Sequence, residues 1–351
     1  MFLAQAITIV VALLIVVSSV ASLGTGGQRS PEKGRLSIKK VNDKIQDLRY
    51  SLEENTLDPG DLKKTRKKEA KDAKELAKRE KQEKKKQKKS ESKTDIDPKA
   101  VPVDADKKAF VLSFDGDVKA SAVDGLRLEI TAVLTMATET DEVVVCLESP
   151  GGMVHSYGLA ASQLERIKSK GIPLTVVVDQ VAASGGYLMA SVATKILAAP
   201  FALLGSIGVV AQIPNVHKLL KKNDVDVEVL TAGKHKRTLT VFGENTDEGR
   251  EKFKEELEDV HLLFQEFVAN NRPILNIEEI ATGEAWYGKR ALELNLIDEL
   301  ITSDEYISTL CDEREVYEVR WEEIRSPVDK ILGKVNGTLD RVTNLVNGLW
   351  K

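Results

Sequence analysis

The chain has 351 residues, 42% of them hydrophobic, with a formal net charge of −4 and two cysteines. That length can bury one substantial domain plus appendages, and the hydrophobic fraction fits a globular enzyme. The two cysteines require no disulfide in either an oxidising or a reducing compartment.

From Met1 to Leu23, about the length that crosses a bilayer, no side chain is charged, and Ile7 to Val17 is almost continuously apolar. Residues 1–27 therefore read as a transmembrane anchor, since a cleaved leader would carry Lys or Arg ahead of a shorter apolar core. Arg29, Lys33, Arg35, Lys39 and Lys40 follow at once, and the positive-inside rule would keep the rest of the chain cytoplasmic. Residues 28–106 read as a charged spacer. Its stretch from Asp61 to Lys93 is dominated by Lys, Arg, Glu, Gln and Ala, a helical or disordered tether. Apolar a/d heptads are missing, which argues against a coiled coil, and basic runs without aromatics point to no nucleic acid. Anionic lipid is the specific alternative partner for those lysines.

A catalytic domain is expected over 107–320. Ala109 to Phe114 reads as its first strand, ending in Asp115-Gly116-Asp117, where the glycine reads as a turn. Helical spacing of apolar residues marks Ser121–Thr138, Gly158–Ser169 and Asp247–Asn271, so strands and helices alternate as in an α/β fold. Between them stand two glycine-bearing segments. Glu148-Ser149-Pro150-Gly151-Gly152 follows the β-rich run Val143–Leu147, and Ala182-Ala183-Ser184-Gly185-Gly186-Tyr187 follows Pro173–Val178, with Ser184 33 positions beyond Gly151 (184 − 151). Both read as strand-to-helix turns on one parallel sheet. Such turns offer backbone N–H groups to a developing oxyanion, and glycine lets a substrate carbonyl approach the main chain.

Ser184 is the nucleophile candidate; a serine hydroxyl attacks only when a neighbouring base takes its proton. Lys236, 52 positions further on (236 − 184), follows an expected strand Val225–Leu230 and stands among Lys234, His235 and Arg237. On the residues alone it is equally a solvated basic loop, and Ser184 equally a helix N-cap. The chain's histidines are His155, His217, His235 and His261. Cys146 belongs to an apolar strand and Cys311 to a different, charged region.

These two segments, with Gly205-Ser206-Ile207-Gly208-Val209 and the Lys236 loop, resemble the signal peptide peptidase A family of serine proteases, in its single-copy bacterial form, over Phe110 to Leu300. The resemblance implies a Clp protease/crotonase-like spiral of ββα units. It implies peptide-bond hydrolysis by a Ser–Lys dyad without metal or cofactor, at the bacterial inner membrane. It assigns Ser184 as nucleophile, Lys236 as general base, the Gly152 and Gly185 N–H groups to the oxyanion, and Ser206 to orienting the lysine. It also implies peptide or protein substrates, and a homo-oligomer in which neighbouring protomers share the dyad. Family precedent places the catalytic domain outside the membrane, against the positive-inside argument. Glu148 stands where the family usually has Asp or Asn, and Lys195 where an Asp commonly follows the catalytic helix. Trp286 and Tyr287, in a segment resembling the family's closing helix, read as core or subunit contacts. Residues 321–351 read as an amphipathic tail. Two rivals remain: a crotonase-like acyl-CoA enzyme and a catalytically silent membrane scaffold.

Overall fold

The computed structural model describes residues 34–58, 107–233 and 235–323, together with Gly60, Lys64, Arg66, Lys67 and Lys71. The expected anchor, most of the charged tether and the tail from Ser326 lie outside the described residues. Among those described, no helix is long and apolar enough to cross a membrane. The chain divides into two units, one of 37–320 and one formed by the two ends.

In the larger unit, strands β2 (Lys108–Asp115), β3 (Glu142–Glu148), β4 (Leu174–Val178) and β6 (Lys195–Ala198) run parallel in adjacent positions. Their Val-, Ile- and Leu-rich sequences reflect a parallel sheet covered on both faces, where neither side of a strand meets water. The seven-stranded sheet has the order β1-β10-β2-β3-β4-β6-β9, with β1 Gly34–Lys40, β9 Glu299–Leu300 and β10 Glu315–Glu323. Helices α2 (Val123–Val133) and α3 (Val154–Lys168) each turn a buried apolar stripe inward, led by Leu126, Ile130, Leu164 and Ile167. A second core cluster gathers Ala109, Val111, Val144, Val177 and Leu197 with Leu310 of helix α9 (Ser303–Glu313).

A second, mixed sheet holds β5 (Val181–Ala183), β7 (Leu203–Gly205) and β8 (Ala285–Tyr287); β5 pairs with β7 in parallel and β7 with β8 antiparallel. A single bridge from Ser149 to Ala182 ties the end of β3 to β5. The chain thus leaves the large sheet at β4, adds a short strand to the small one, and enters helix α4 (Gly185–Ala190), which is buried at every residue.

Several expectations are corrected. Residues 37–56 are not spacer: β1 leads into helix α1 (Val41–Thr56), and Asn42 docks this segment by donating to the Cys311 and Arg314 carbonyls (both 3.0 Å) and accepting the Val316 N–H (2.8 Å). Lys40, paired with Glu315 at 2.6 Å, and Val41, packed on the second core cluster, join Asn42 in place of the apolar stripe that sequence periodicity detects. Val225–Leu230 forms no strand, because its alternating valines find no ladder partner among the described residues. Helix α3 starts at Val154, ahead of Gly158, because the chain already turns at Gly151-Gly152. Trp286 and Tyr287 lie on β8, with helix α8 (Gly288–Glu293) following. Cys311 shares the second core cluster with Cys146 instead of standing apart, and both are free thiols. The Asp247–Asn271 helix has the expected bounds, capped by Thr246, whose hydroxyl accepts the Gly249 N–H. In the unit formed by the ends, Arg35 pairs with Glu322 at 2.8 Å.

Candidate active site

Ser184 sits where β5 ends and α4 begins, at φ 51° and ψ −118°. A non-glycine residue there is strained, and such strain persists only when neighbours overdetermine it. Here the Ser184 N–H donates to the Gly205 carbonyl (2.7 Å), while its own carbonyl accepts from Leu188 (2.9 Å). The sharp strand-to-helix turn leaves the side chain half-buried, whereas its neighbours Ala183 and Gly185 are buried.

The Pro-Gly-Gly turn lies against this elbow. Gly151 has φ 89°, and a Cβ on it would stand 2.8 Å from the Ala183 carbonyl, the Gly185 nitrogen and the Ser184 Cβ, so only glycine fits. The Gly151 N–H is used, donating to Ser149 Oγ at 3.1 Å. Neither the Gly152 nor the Gly185 N–H has an acceptor among the hydrogen bonds of the described residues. Around exposed Gly152 stand Val118, Met153 and Val154, exposed at 63%, 41% and 52%, an apolar rim beside the turn. The Met153 N–H donates to the Val118 carbonyl, which fixes that rim.

Ser206 joins the same cluster through Gly205. Both have positive φ (53° and 97°), and the Ser206 N–H donates to the Glu284 carbonyl at 2.6 Å. The Trp286 ring covers Gly205, with ring carbons 2.8–2.9 Å from where a Cβ would be. The fold therefore brings Ser184, Gly152, Gly185 and Ser206 to one place. Lys236 lies on an exposed turn closed by its own N–H, which donates to the Gly233 carbonyl (3.2 Å). Among the described residues no hydrogen bond or ion pair joins it to Ser184 or Ser206. His155 is exposed on the first turn of α3.

Two residues noted only as departures have structural work. The Glu148 carboxylate accepts the N–H groups of Asp179 (2.9 Å), Gln180 (3.0 Å) and Val181 (2.9 Å), holding the loop that feeds the serine strand. Asp179 in turn accepts from the Ser303 N–H (2.8 Å) and hydroxyl (2.5 Å). Lys195 pairs with Glu299 at 2.7 Å and places its ammonium 5.8 Å from the Tyr306 ring centre. Beneath α4, Tyr187 donates to the Leu296 carbonyl at 2.9 Å, and burial pushes its phenol well above the usual range. Buried Arg272 grips Asp298 with two 3.1 Å hydrogen bonds. Desolvation opposes the Asp298 charge, but the guanidinium and the Ile196 N–H outweigh it and hold the carboxyl below its ordinary value. Burial pushes the Cys146 thiol up to about 12, so it is not a nucleophile near neutral pH. Among the described residues no three His, Cys, Asp or Glu side chains gather as a metal site.

The family model described as peptidase family S49 N-terminal matches residues 1–164, and that of peptidase family S49 matches 166–317. The putative protease SohB of Buchnera aphidicola subsp. Baizongia pistaciae is 42% identical over 340 residues, covering 97% of this chain and 94% of its own. The probable protease SohB of Haemophilus influenzae is 57% identical over 234 residues. That match spans 66% of each chain, just under two thirds of the relative's length. A solved membrane-bound stomatin-specific protease mutant with a substrate peptide aligns at 15% identity over 66% of this chain and 98% of its own. Its TM-score of 0.40 is too loose to bear on fold or mechanism. The chain belongs to peptidase family S49.

Proposed function

We propose that the protein is a serine endopeptidase on a Clp/crotonase-like scaffold, with Ser184 as nucleophile and Lys236 as general base, held at the bacterial inner membrane by residues 1–27. The observation that carries this reading is the strained Ser184 elbow beside the Gly152 and Gly185 N–H groups, which have no acceptor among the described residues. In the reaction, neutral Lys236 takes the Ser184 proton as Oγ bonds to the peptide carbonyl carbon, and the two N–H groups hold the resulting oxyanion. Lys236 then passes the proton to the leaving amine, the C–N bond breaks, and an acyl-enzyme forms. Water, deprotonated by the same lysine, releases the second product.

A lysine is a base only when neutral, which takes burial away from water. Lys236 is exposed in the single chain, so we assign its burial, and its approach to a serine, to a neighbouring protomer of a homo-oligomer. Ser206, one residue past the carbonyl that braces Ser184, is placed to orient the incoming ammonium group. The apolar rim of Val118, Met153 and Val154 favours substrates with apolar side chains, such as signal-peptide-like or membrane-derived segments.

A fluorophosphonate probe tests the nucleophile. The reading predicts covalent labelling of the wild type at Ser184 and none of Ser184→Ala; an unlabelled wild type would favour the acyl-CoA or scaffold alternatives. Protease protection in right-side-out vesicles tests the membrane side, with digestion of the catalytic unit excluding a cytoplasmic placement.

A further inference from the structure

Ser149 and Tyr157 are both fully buried, yet both carry hydroxyls. The Gly151 N–H donates to Ser149 Oγ at 3.1 Å, Ser149 Oγ lies 2.5 Å from the Tyr157 hydroxyl, and that hydroxyl donates to the Asp117 carbonyl at 2.8 Å. The phenol has one proton and a carbonyl only accepts, so Ser149 must donate to Tyr157 and keep its lone pairs for the Gly151 N–H. Every bond in the series then has one direction.

The same phenol bears on the other side of the elbow. A Cβ on Gly185 would stand 2.8 Å from the Tyr157 Cβ and Cδ2, so the ring lies flush against Gly185. On the Ser149 main chain, the N–H donates to the Val181 carbonyl (2.8 Å) and the carbonyl accepts from Ala183 (3.0 Å), both on the serine strand. Gly116, read from the sequence as a turn, has a different duty: a Cβ there would collide with Ser149 Oγ and the Tyr157 hydroxyl. Asp117, whose carbonyl ends the series, is fixed by its carboxylate, which accepts the Ser121 N–H and hydroxyl, both at 2.8 Å. An apolar pair of the same shape, Ala and Phe, would fill this space but leave the buried Gly151 N–H without its acceptor and the Asp117 carbonyl without its donor. The hydroxyl pair thus meets a requirement at Gly151.

We propose that Ser149 and Tyr157 are positioning residues that set the Gly152 and Gly185 N–H groups for the substrate oxyanion. Ser149 holds the Gly151 N–H directly, and the Tyr157 hydroxyl holds Ser149 from behind while its ring packs on Gly185, so Tyr157→Phe cuts the hydroxyl link and leaves the ring in place. The proposal rests on the serine-peptidase reading and adds to it the origin of the hole's geometry.

The test uses the full-length protein and the variants Tyr157→Phe, Ser149→Ala and their combination. It reads kcat and KM on an apolar fluorogenic peptide, the inhibition constant of a peptide aldehyde, whose adduct with serine carries an oxyanion, and the thermal midpoint. Deleting an oxyanion donor outright costs about 10²–10³ in kcat, so mispositioning one is expected to cost on the order of 10- to 100-fold. KM should stay within about twofold, aldehyde binding should weaken in step with kcat, and the double variant should be no slower than the worse single one. Its thermal midpoint should stay within a few degrees of wild type. Unchanged kcat in Tyr157→Phe and Ser149→Ala would overturn the proposal, as would losses that track the thermal midpoint with aldehyde affinity intact. Turnover that persists in Ser184→Ala would instead overturn the serine reading itself, and this proposal with it.

Discussion

The Ser184 elbow and the stretch from Val209 to Thr240 are built on opposite terms. Around the serine, the Ser184 N–H and carbonyl are both paired, Gly151, Gly185 and Gly205 admit no Cβ, and the short helix that follows is buried throughout. The Lys236 stretch has one short helix, His217–Lys222, and exposes Val210 and Leu230 at 91% and 90%. Its alternation Val225-Asp226-Val227-Glu228-Val229 is that of a strand, yet no strand among the described residues pairs with it. Half of the proposed dyad is rigid within one chain; the other half rides on a segment whose apolar residues and backbone groups are left for something else to cover. A second copy is the occupant this account assigns to it.

The sharpest way to break the comparison is at the rigid half. Ser184→Ala should lower turnover by at least about 10⁴-fold with the thermal midpoint unchanged, measured by peptide hydrolysis and calorimetry. Gly151→Ala follows: with φ 89° and backbone atoms 2.8 Å from the new Cβ, it should cost more than about 10²-fold in kcat and roughly 1–3 kcal/mol of stability. Arg272→Ala, below the elbow, removes one partner of a largely buried pair. Because the Asp298 side chain stays 36% exposed, the loss should be about 2–3 kcal/mol by denaturant unfolding, less than the ~3–5 of a fully buried pair.

The same pair gives a pH dependence. The folded Asp298 carboxyl is held below its ordinary value, so its contribution is fully present above the unfolded carboxyl pKa of about 3.9 and is lost as pH falls through the lower folded value. Wild-type stability should therefore drop more steeply below about pH 4 than that of Arg272→Ala. The smallest effect belongs to the mobile-sounding half: Val227→Asp should change the stability of the isolated chain by no more than about 0.5 kcal/mol. The same variant should shift the assembly toward smaller species in analytical ultracentrifugation; an unchanged assembly would remove the reason for assigning a second copy there.

The α/β alternation was legible because parallel strands buried on both faces read as β-branched runs, and because Asp247–Asn271 carries both its periodicity and its Thr246 cap. The serine turn was legible because glycine is required where backbones meet. What escaped was written in single polar residues: Asn42 docking β1 and α1, Glu148 holding three N–H groups, and Ser149 with Tyr157 behind the glycines. A hydrogen bond between residues far apart leaves no period in a sequence. The valines of 225–230 misled for the converse reason, since period-2 alternation records a buried face without saying whose surface buries it.

The most direct measurement is peptidase activity of oligomers assembled from Ser184→Ala and Lys236→Ala chains mixed after co-refolding. Each variant alone should be inactive and the mixture should recover a substantial fraction of wild-type turnover, because some sites then combine an intact serine from one protomer with an intact lysine from its neighbour. Full activity in Lys236→Ala alone, or a mixture as silent as its components, would contradict a dyad completed by a second copy.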